Sequence, residues 1–350
     1  MGKSAFVFLI SAMTMIVFMG SISPAFGLKK VSQSPYLGAI VVDADTGKVI
    51  VADHADAKGY PASMIKLMNL FIILDAVKAQ HLSLADPVTV SAKVSKMGGS
   101  QVYLKEKEVF SVEELIYAMM VQSANDAALA LAVHYTGSME VFVDLMNKKA
   151  EEIGMKDTAF YSVHGLPPSG NKKPDITTAR DMATLSRELL KYPEALKYTA
   201  TKVRKFRPDA PEPFIMRTHN HLLKDFEGCD GLKTGYFRAA GFSIVATARK
   251  KDVRAIAVVL GSVSSKERDK HARLLLSKGL MEILLNPPIA PVVEKASAPA
   301  EVDTEDLDQE IEYVRIPKRT FKVAVILNAA IIILLFAVLY FQRTKGNRLR

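Results

Sequence analysis

Apolar positions along the chain fall into three regimes. Residues 5–19 and 323–341 are nearly unbroken apolar runs, residues 28–285 alternate or recur at helical spacing, and residues 286–322 do neither. Within the middle stretch, "LGAIVVDADTGKVIVAD" sets two apolar runs around Asp-Ala-Asp-Thr-Gly, which predicts a hairpin. Residues 64–80 read as a helix, and so does "SVEELIYAMMVQ", where Ser111 and Glu114 form a capping box. "DAALALAVHY" and residues 139–153 predict two more, and "TTARDMATLSRELLKYP" a further helix that opens on threonine caps and stops before Pro193. Late in the chain, "GFSIVATARK" and "DVRAIAVVLG" are short β-branched runs joined by a charged turn, followed by a helix from about Lys266 to Leu285. Strands first, helices between and strands last predict an α/β body with a mainly antiparallel sheet formed by both ends of the body and a helical subdomain against it. A body of this length suggests two lobes sharing a cleft.

The two ends fix the expected compartment. Residues 1–27 carry Lys3, the apolar run and then small residues through "SISPAFG", the layout of an export signal peptide with cleavage after Ala25 or Gly27. No cysteine follows it, which argues against a lipoprotein. Residues 323–341, "VAVILNAAIIILLFAVLYF", contain no charge, and 19 helical residues rise about 28 Å, close to the hydrocarbon thickness of a bilayer. A single-pass transmembrane helix is expected there, with Asn328 as a tolerated polar intruder. Residues 286–322 form the linker or stalk, rich in Pro, Ala and acids at its start, and residues 342–350 a basic cytoplasmic tail. The catalytic body, residues 28–285, then lies on the extracytoplasmic (periplasmic) side of the cell membrane.

Composition sharpens this picture in two places. The chain has 350 residues and a formal net charge of +9, but Arg315, Lys318, Arg319 and Lys322 precede the spanning run and Arg343, Lys345, Arg348 and Arg350 follow it. The basic balance is therefore membrane flanking, and no nucleic-acid partner is expected. The lone cysteine, Cys229, excludes an internal disulfide framework and reads as a small core residue.

Candidate chemistry begins at "PASMIKLMN", where Ser63 precedes Lys66 by three residues at the start of an apolar helix. A serine hydroxyl needs a base to become a nucleophile, and side chains three apart on a helix are neighbours. A lysine can serve if burial or a nearby positive charge keeps it neutral, and first-turn N–H groups could stabilise an oxyanion. The spacing alone is weak. "SGNK" repeats it at Ser169, in a Pro- and Gly-rich stretch with no helix to hold the lysine over the serine. Two further motifs set Ser63 apart: Ser123 and Asn125 in "QSANDAA", at a break between helices, and Lys233, Thr234 and Gly235 in "DGLKTGYF", just before the late strands. The latter could offer an edge to an extended peptide. His219 and His221 in "THNH" lack a carboxylate or third ligand at recognisable spacing, so a metallopeptidase is disfavoured; His54, His81, His134, His164 and His271 form no metal-like cluster, and His164 is read as fixing a loop. No metal or cofactor is expected.

With these three motifs, and with "SVEELIYAMMVQSANDAALALA", "GMKDTAFYSVHGL" and "KTGYFRAAGFSIVATARKKDVRAIAVVLG", the body from about Ser34 to Leu285 resembles the active-site serine penicillin-recognising enzymes. Within them it is most similar to the D-alanyl-D-alanine carboxypeptidases, the low-molecular-weight penicillin-binding proteins. The resemblance implies a serine β-lactamase/transpeptidase-like fold and removal of the terminal D-alanine from peptidoglycan stem pentapeptides, with β-lactams as inhibitors. It implies that Ser63 is the acyl-forming nucleophile, Lys66 the general base, Ser123 a proton shuttle to the departing amine and Asn125 a holder of the substrate backbone. Lys233, Thr234 and Arg268 would bind the terminal carboxylate, and the N–H groups of Ser63 and of Tyr236, just after Gly235, would hold the oxyanion. Relatives that carry a β-rich second domain and a surface-lying terminal helix differ from the stalk and spanning run expected here. A serine β-lactamase and an inactive peptidoglycan-binding module share the motifs; the first needs an added carboxylate base for deacylation that the sequence does not place.

Overall fold

The computed structural model describes residues 28–287 except residue 171; the expected signal peptide, nearly all of the stalk, the spanning run and the tail lie outside the described residues. Among the described residues no helix is long and apolar enough to cross a membrane.

The predicted hairpin forms β1 (Gly38–Asp43) and β2 (Val49–Asp53). Its turn is fixed by Asp43, whose Oδ1 accepts the N–H groups of Asp45 and Thr46, and by Gly47 at φ 76°. The late strands number three rather than two: β7 (Cys229–Phe237), β8 (Gly241–Lys250) and β9 (Val253–Ser262). All five join one antiparallel sheet in the order β2-β1-β9-β8-β7, with Val41 opposite Ala257 and Lys233 opposite Val245. The first strand of the chain thus pairs with the last, as the order of elements predicts, and β7 is left as an edge.

Each face of the sheet buries its own core. One face sends Ile40, Val42, Val245, Ile256, Val258 and Leu260 into the helical region, while Val41, Ala246, Ala248, Ala255 and Ala257 face the C-terminal helix α9 (Ser265–Leu285). The alanines let α9 lie close: a Cβ on its Gly279 would stand 2.6 Å from Val41 Cγ2. Residues 28–287 fall within one compact unit, so the two expected lobes are two cores sharing one sheet.

The helical region holds α1 (Lys66–Lys78), α2 (Ala92–Ser95), α3 (Val112–Val121), α4 (Asn125–Thr136), α5 (Met139–Glu152), α6 (Ala179–Leu189) and α7 (Glu194–Thr199), whereas the short α8 (Leu222–Asp225) packs its Leu222 into the core shared with α9. The Ser111 capping box of α3 and the Thr178 cap of α6 are both formed. Ten of the thirteen residues of α1 are buried, so it runs through the core rather than over it. Two small hairpins, β3 (Pro87–Thr89) with β4 (Val109–Ser111) and β5 (Val203–Phe206) with β6 (Phe214–Arg217), have strands too short to show an alternating pattern.

The loop before α3 is tied down by one buried carboxylate. Asp126 accepts the backbone N–H groups of Val102 and Leu104 at 3.1–3.3 Å, and the same loop presents Gly98 and Ser100 to the start of α4. Asp126→Ala is expected to lower stability by about 3 kcal/mol, because backbone donors are left without a charged acceptor; urea unfolding measures it, and a loss below about 1 kcal/mol would contradict this role.

Candidate active site

Ser63 does not stand on an α-helix. It lies in a 3-10 turn, Ala62–Ile65, and Lys66 is at once the end of that turn and the first residue of α1. The tighter turn corrects the expectation of a serine in the first α-turn but keeps the three-residue offset, since side chains three apart in a 3-10 turn lie over one another. Ala62 enters it at φ 47°, and Gly165 leaves room for that backbone: a Cβ there would sit 2.1 Å from the Ala62 carbonyl oxygen.

Lys66 is fully buried, and its Nζ has three neighbours: Ser63 Oγ at 3.1 Å, Asn125 Oδ1 at 2.8 Å and the His164 carbonyl oxygen at 2.9 Å. Two of these are carbonyls that can only accept. A neutral amine has two N–H groups and one lone pair, so it satisfies both carbonyls and turns its lone pair to the one partner with a proton to give, Ser63. Burial first, and the nearby Lys233 charge second, hold the Lys66 pKa well below the ordinary lysine value, against the opposing charges of Asp126 and Asp175. Repulsion by Lys233 therefore contributes, but the larger cause is the dry site.

The other two motifs come to the same place. Ser123 sits between α3 and α4 at φ 61°, buried, with its Oγ lacking a protein hydrogen-bond partner and lining the cleft that Ser63 also lines. Asn125 opens α4 and is clamped at both ends, its Nδ2 donating to the Gly98 carbonyl at 2.8 Å and its Oδ1 accepting from Lys66. Lys233, Thr234 and Gly235 are inside β7, not before the strands as expected; the edge strand carries the motif. Gly235 lets β7 touch the 3-10 turn, because a Cβ would stand 2.5 Å from the Pro61 carbonyl oxygen, and Tyr236, the next residue, lines the cleft with Ser63.

The cleft encloses about 330 Å³ and is lined by Ser63, Ser100, Ser123, Thr234, Tyr236 and Arg268, with His219, His221, Gly235, Phe242 and Ser265 completing its wall. Lys233 is not on the wall. It is 3% exposed, donates to the Thr234 carbonyl at 3.1 Å and is drawn down to about 7 by burial and the Arg268 charge. Its field reaches the site although its side chain does not. Arg268, only 4% exposed, stands in the first turns of α9. Among the described residues no carboxylate is on the wall, and no group of three metal-binding side chains occurs.

Three contributors were not legible. His164 acts through its carbonyl, which no side-chain pattern reveals; its ring, brought to about 4 by burial and Lys66, accepts the Leu166 N–H. His219 and His221, disfavoured as metal ligands, line the cleft because Asn220 folds their loop onto β7 by donating to the Gly231 carbonyl. His219 is brought to about 4 by burial, Lys233 and Arg268. Ser169 lies exposed in a loop, and Cys229 has its thiol pushed up to about 11 by burial.

An antiparallel sheet between helices, with a serine and a buried lysine at the mouth of a cleft, is the α/β fold of the penicillin-recognising serine hydrolases. The chain belongs to the D-alanyl-D-alanine carboxypeptidase family, whose sequence model matches residues 32–264. It is 37% identical over 238 residues to D-alanyl-D-alanine carboxypeptidase DacF of Bacillus subtilis, covering 68% of this chain and 60% of that protein. It is 34% identical over 278 residues to carboxypeptidase DacC of Escherichia coli, covering 76% and 67%. Penicillin-binding protein D2 of Listeria monocytogenes in its ampicillin-bound form matches at TM-score 0.63 and 30% identity, over 70% of this chain and 97% of that one.

Two substitutions probe the geometry. Gly235→Ala is expected to slow acylation of Ser63 by an activated thioester on the order of a hundredfold, because β7 must move off the turn; an unchanged rate would show that the contact is dispensable. Lys233→Met removes the like charge near Lys66, so Lys66 keeps its proton to higher pH and the acid limb of the acylation profile moves upward. A limb that stays or moves down would assign the lowered pKa to burial alone.

Proposed function

We propose that the protein is a serine D-Ala-D-Ala carboxypeptidase acting on peptidoglycan stem pentapeptides. The observation that carries this is the fully buried Lys66 amine 3.1 Å from Ser63 Oγ at the edge of an open cleft. Lys66 takes the hydroxyl proton as Ser63 attacks the carbonyl of the penultimate D-alanine. The backbone N–H groups of Ser63 and Tyr236 hold the oxyanion. The proton returns through Ser123, whose Oγ has no protein partner, to the departing amine; D-alanine leaves, and water cleaves the ester. Thr234 and Arg268 on the wall grip the terminal carboxylate, with Lys233 contributing charge from behind, and Asn125, buried behind the wall, fixes Lys66. A β-lactam, with its own carboxylate and strained amide, acylates the same serine. No carboxylate is on the wall among the described residues to activate a second water, which supports the carboxypeptidase reading over a β-lactamase; slow release of that adduct is the expected outcome.

We further propose that residues 1–27 direct export, that residues 28–285 are the catalytic domain, and that residues 286–322 link it to a single membrane-spanning run, 323–341, with residues 342–350 inside the cell. The charge-free run and the basic residues on its flanks support this placement.

Intact mass of the protein after incubation with benzylpenicillin is expected to show one adduct on the wild type and on Ser169→Ala and none on Ser63→Ala, with D-alanine released from a D-Ala-D-Ala peptide by the first two only. An adduct on Ser63→Ala would refute the assignment of the nucleophile, and rapid turnover of penicillin without D-alanine release would favour the β-lactamase. Deletion of residues 323–350 is expected to move the protein from the membrane pellet to the soluble periplasmic fraction; retention in the pellet would exclude this run as the anchor.

A further inference from the structure

Arg268 and Asp269 are consecutive residues of α9, and consecutive side chains on a helix point about 100° apart. Here they meet nonetheless. Arg268 Nε and Nη2 both reach Asp269 Oδ1 at 2.7 Å, and the other oxygen, Oδ2, is 3.0 Å from His221 Nδ1. The pair is nearly buried, with side chains 5% and 13% exposed, whereas His221 is 62% exposed. Arg268 and His221 both line the cleft of Ser63; Asp269 does not. An acidic residue beside the arginine of a carboxylate-binding cleft weakens the field there, so its presence calls for a second effect.

That effect is orientation. A guanidinium has five N–H groups in a rigid fork, and the contact with Asp269 occupies one edge of it. Among the described residues Nη1 makes no hydrogen bond, and Arg268 lines the cleft, so this edge of the fork is open to a ligand there. Lys233 lies close enough for Arg268 to be a cause of its lowered pKa, and the two like charges repel. Without an anchor, a nearly buried cation facing that repulsion would swing towards solvent. His221 in turn holds the far oxygen of Asp269, from the loop that Asn220 ties to β7.

We propose that Asp269 is a positioning residue for substrate binding, which with His221 fixes the Arg268 fork so that its free edge meets the terminal carboxylate of the departing D-amino acid. The inference rests on the carboxypeptidase reading and adds to it the residues that aim the arginine.

The test compares the full-length wild type with Asp269→Asn on a diacylated Lys-D-Ala-D-Ala peptide and on the same peptide closed as its C-terminal amide. Asp269→Asn is expected to raise KM for the free acid with a smaller change in kcat, so that the acid-to-amide ratio of kcat/KM falls about tenfold. Asp269→Glu should recover a good part of that ratio, and Asp269→Asn should have no further effect on the ratio in an Arg268→Ala background. Equal losses on both peptides would mean a merely structural role. A ratio that stays level or rises would mean that the negative charge matters more than the aim, and either result overturns the proposal, as would a full effect of Asp269→Asn without Arg268. Should Asp269→Asn fail to fold, His221→Ala removes one bond from an exposed side chain and is read by the same ratio, with a smaller drop expected and no drop counting against the proposal. A wild type that releases no D-alanine from the free acid removes the carboxypeptidase reading itself, whereas an active wild type with an unchanged ratio in the variants removes only the positioning role of Asp269.

Discussion

The site depends on one amine kept out of water. Lys66 is enclosed on all sides, and the three oxygens around its nitrogen suit an uncharged amine with its lone pair facing Ser63. Burying an ammonium unpaired would be costly, and among the described residues no carboxylate contacts it; Asp126 and Asp175 act at a distance. Asp126 spends its oxygens on the N–H groups of Val102, Leu104 and Ala127, and Asp175 on Tyr161 and Ser162. The same carboxylates that could have neutralised the lysine by pairing instead build the loops that enclose it.

Around this amine the charges are graded. Lys66 is driven well below the ordinary lysine value by burial and by Lys233, and Lys233 is brought to about 7 by burial and by Arg268. Each helps hold down the next: Arg268 is a cause of the shift in Lys233, and Lys233 of the shift in Lys66. The three basic groups thus share one field across the site.

Much of this was legible in the chain, and the remainder was hidden for physical reasons. The β1–β2 hairpin, the capping box at Ser111 and the helix after Ser264 arise from local rules and stand within a residue or two of where the patterns put them. Ser63, Lys66, Ser123 and Asn125 are close in sequence to helix starts, so their roles had a local signature. β7 was missed as a strand because Lys233, Thr234 and Gly235 interrupt its apolar pattern, and they do so because the edge they form serves the cleft rather than the core. The carbonyl of His164 and the loop of His219 and His221 could not be read at all, since their parts depend on contacts with residues 98 and 11 positions away in the chain.

The pairing of β1 with β9 also orders events in time. Ser63 and Lys66 lie within the first fifth of the chain, but β1 waits for residues 255–260 to complete its hydrogen bonds, and the cleft waits for Arg268. As the polypeptide emerges from the ribosome, one wall of the cleft, at Ser63, comes early and the other, at Arg268, late. A chain cut before β9 would hold Ser63 and Lys66 but leave β1 without its inner partner, and one cut after β9 would have the sheet but lack Arg268 on the cleft wall.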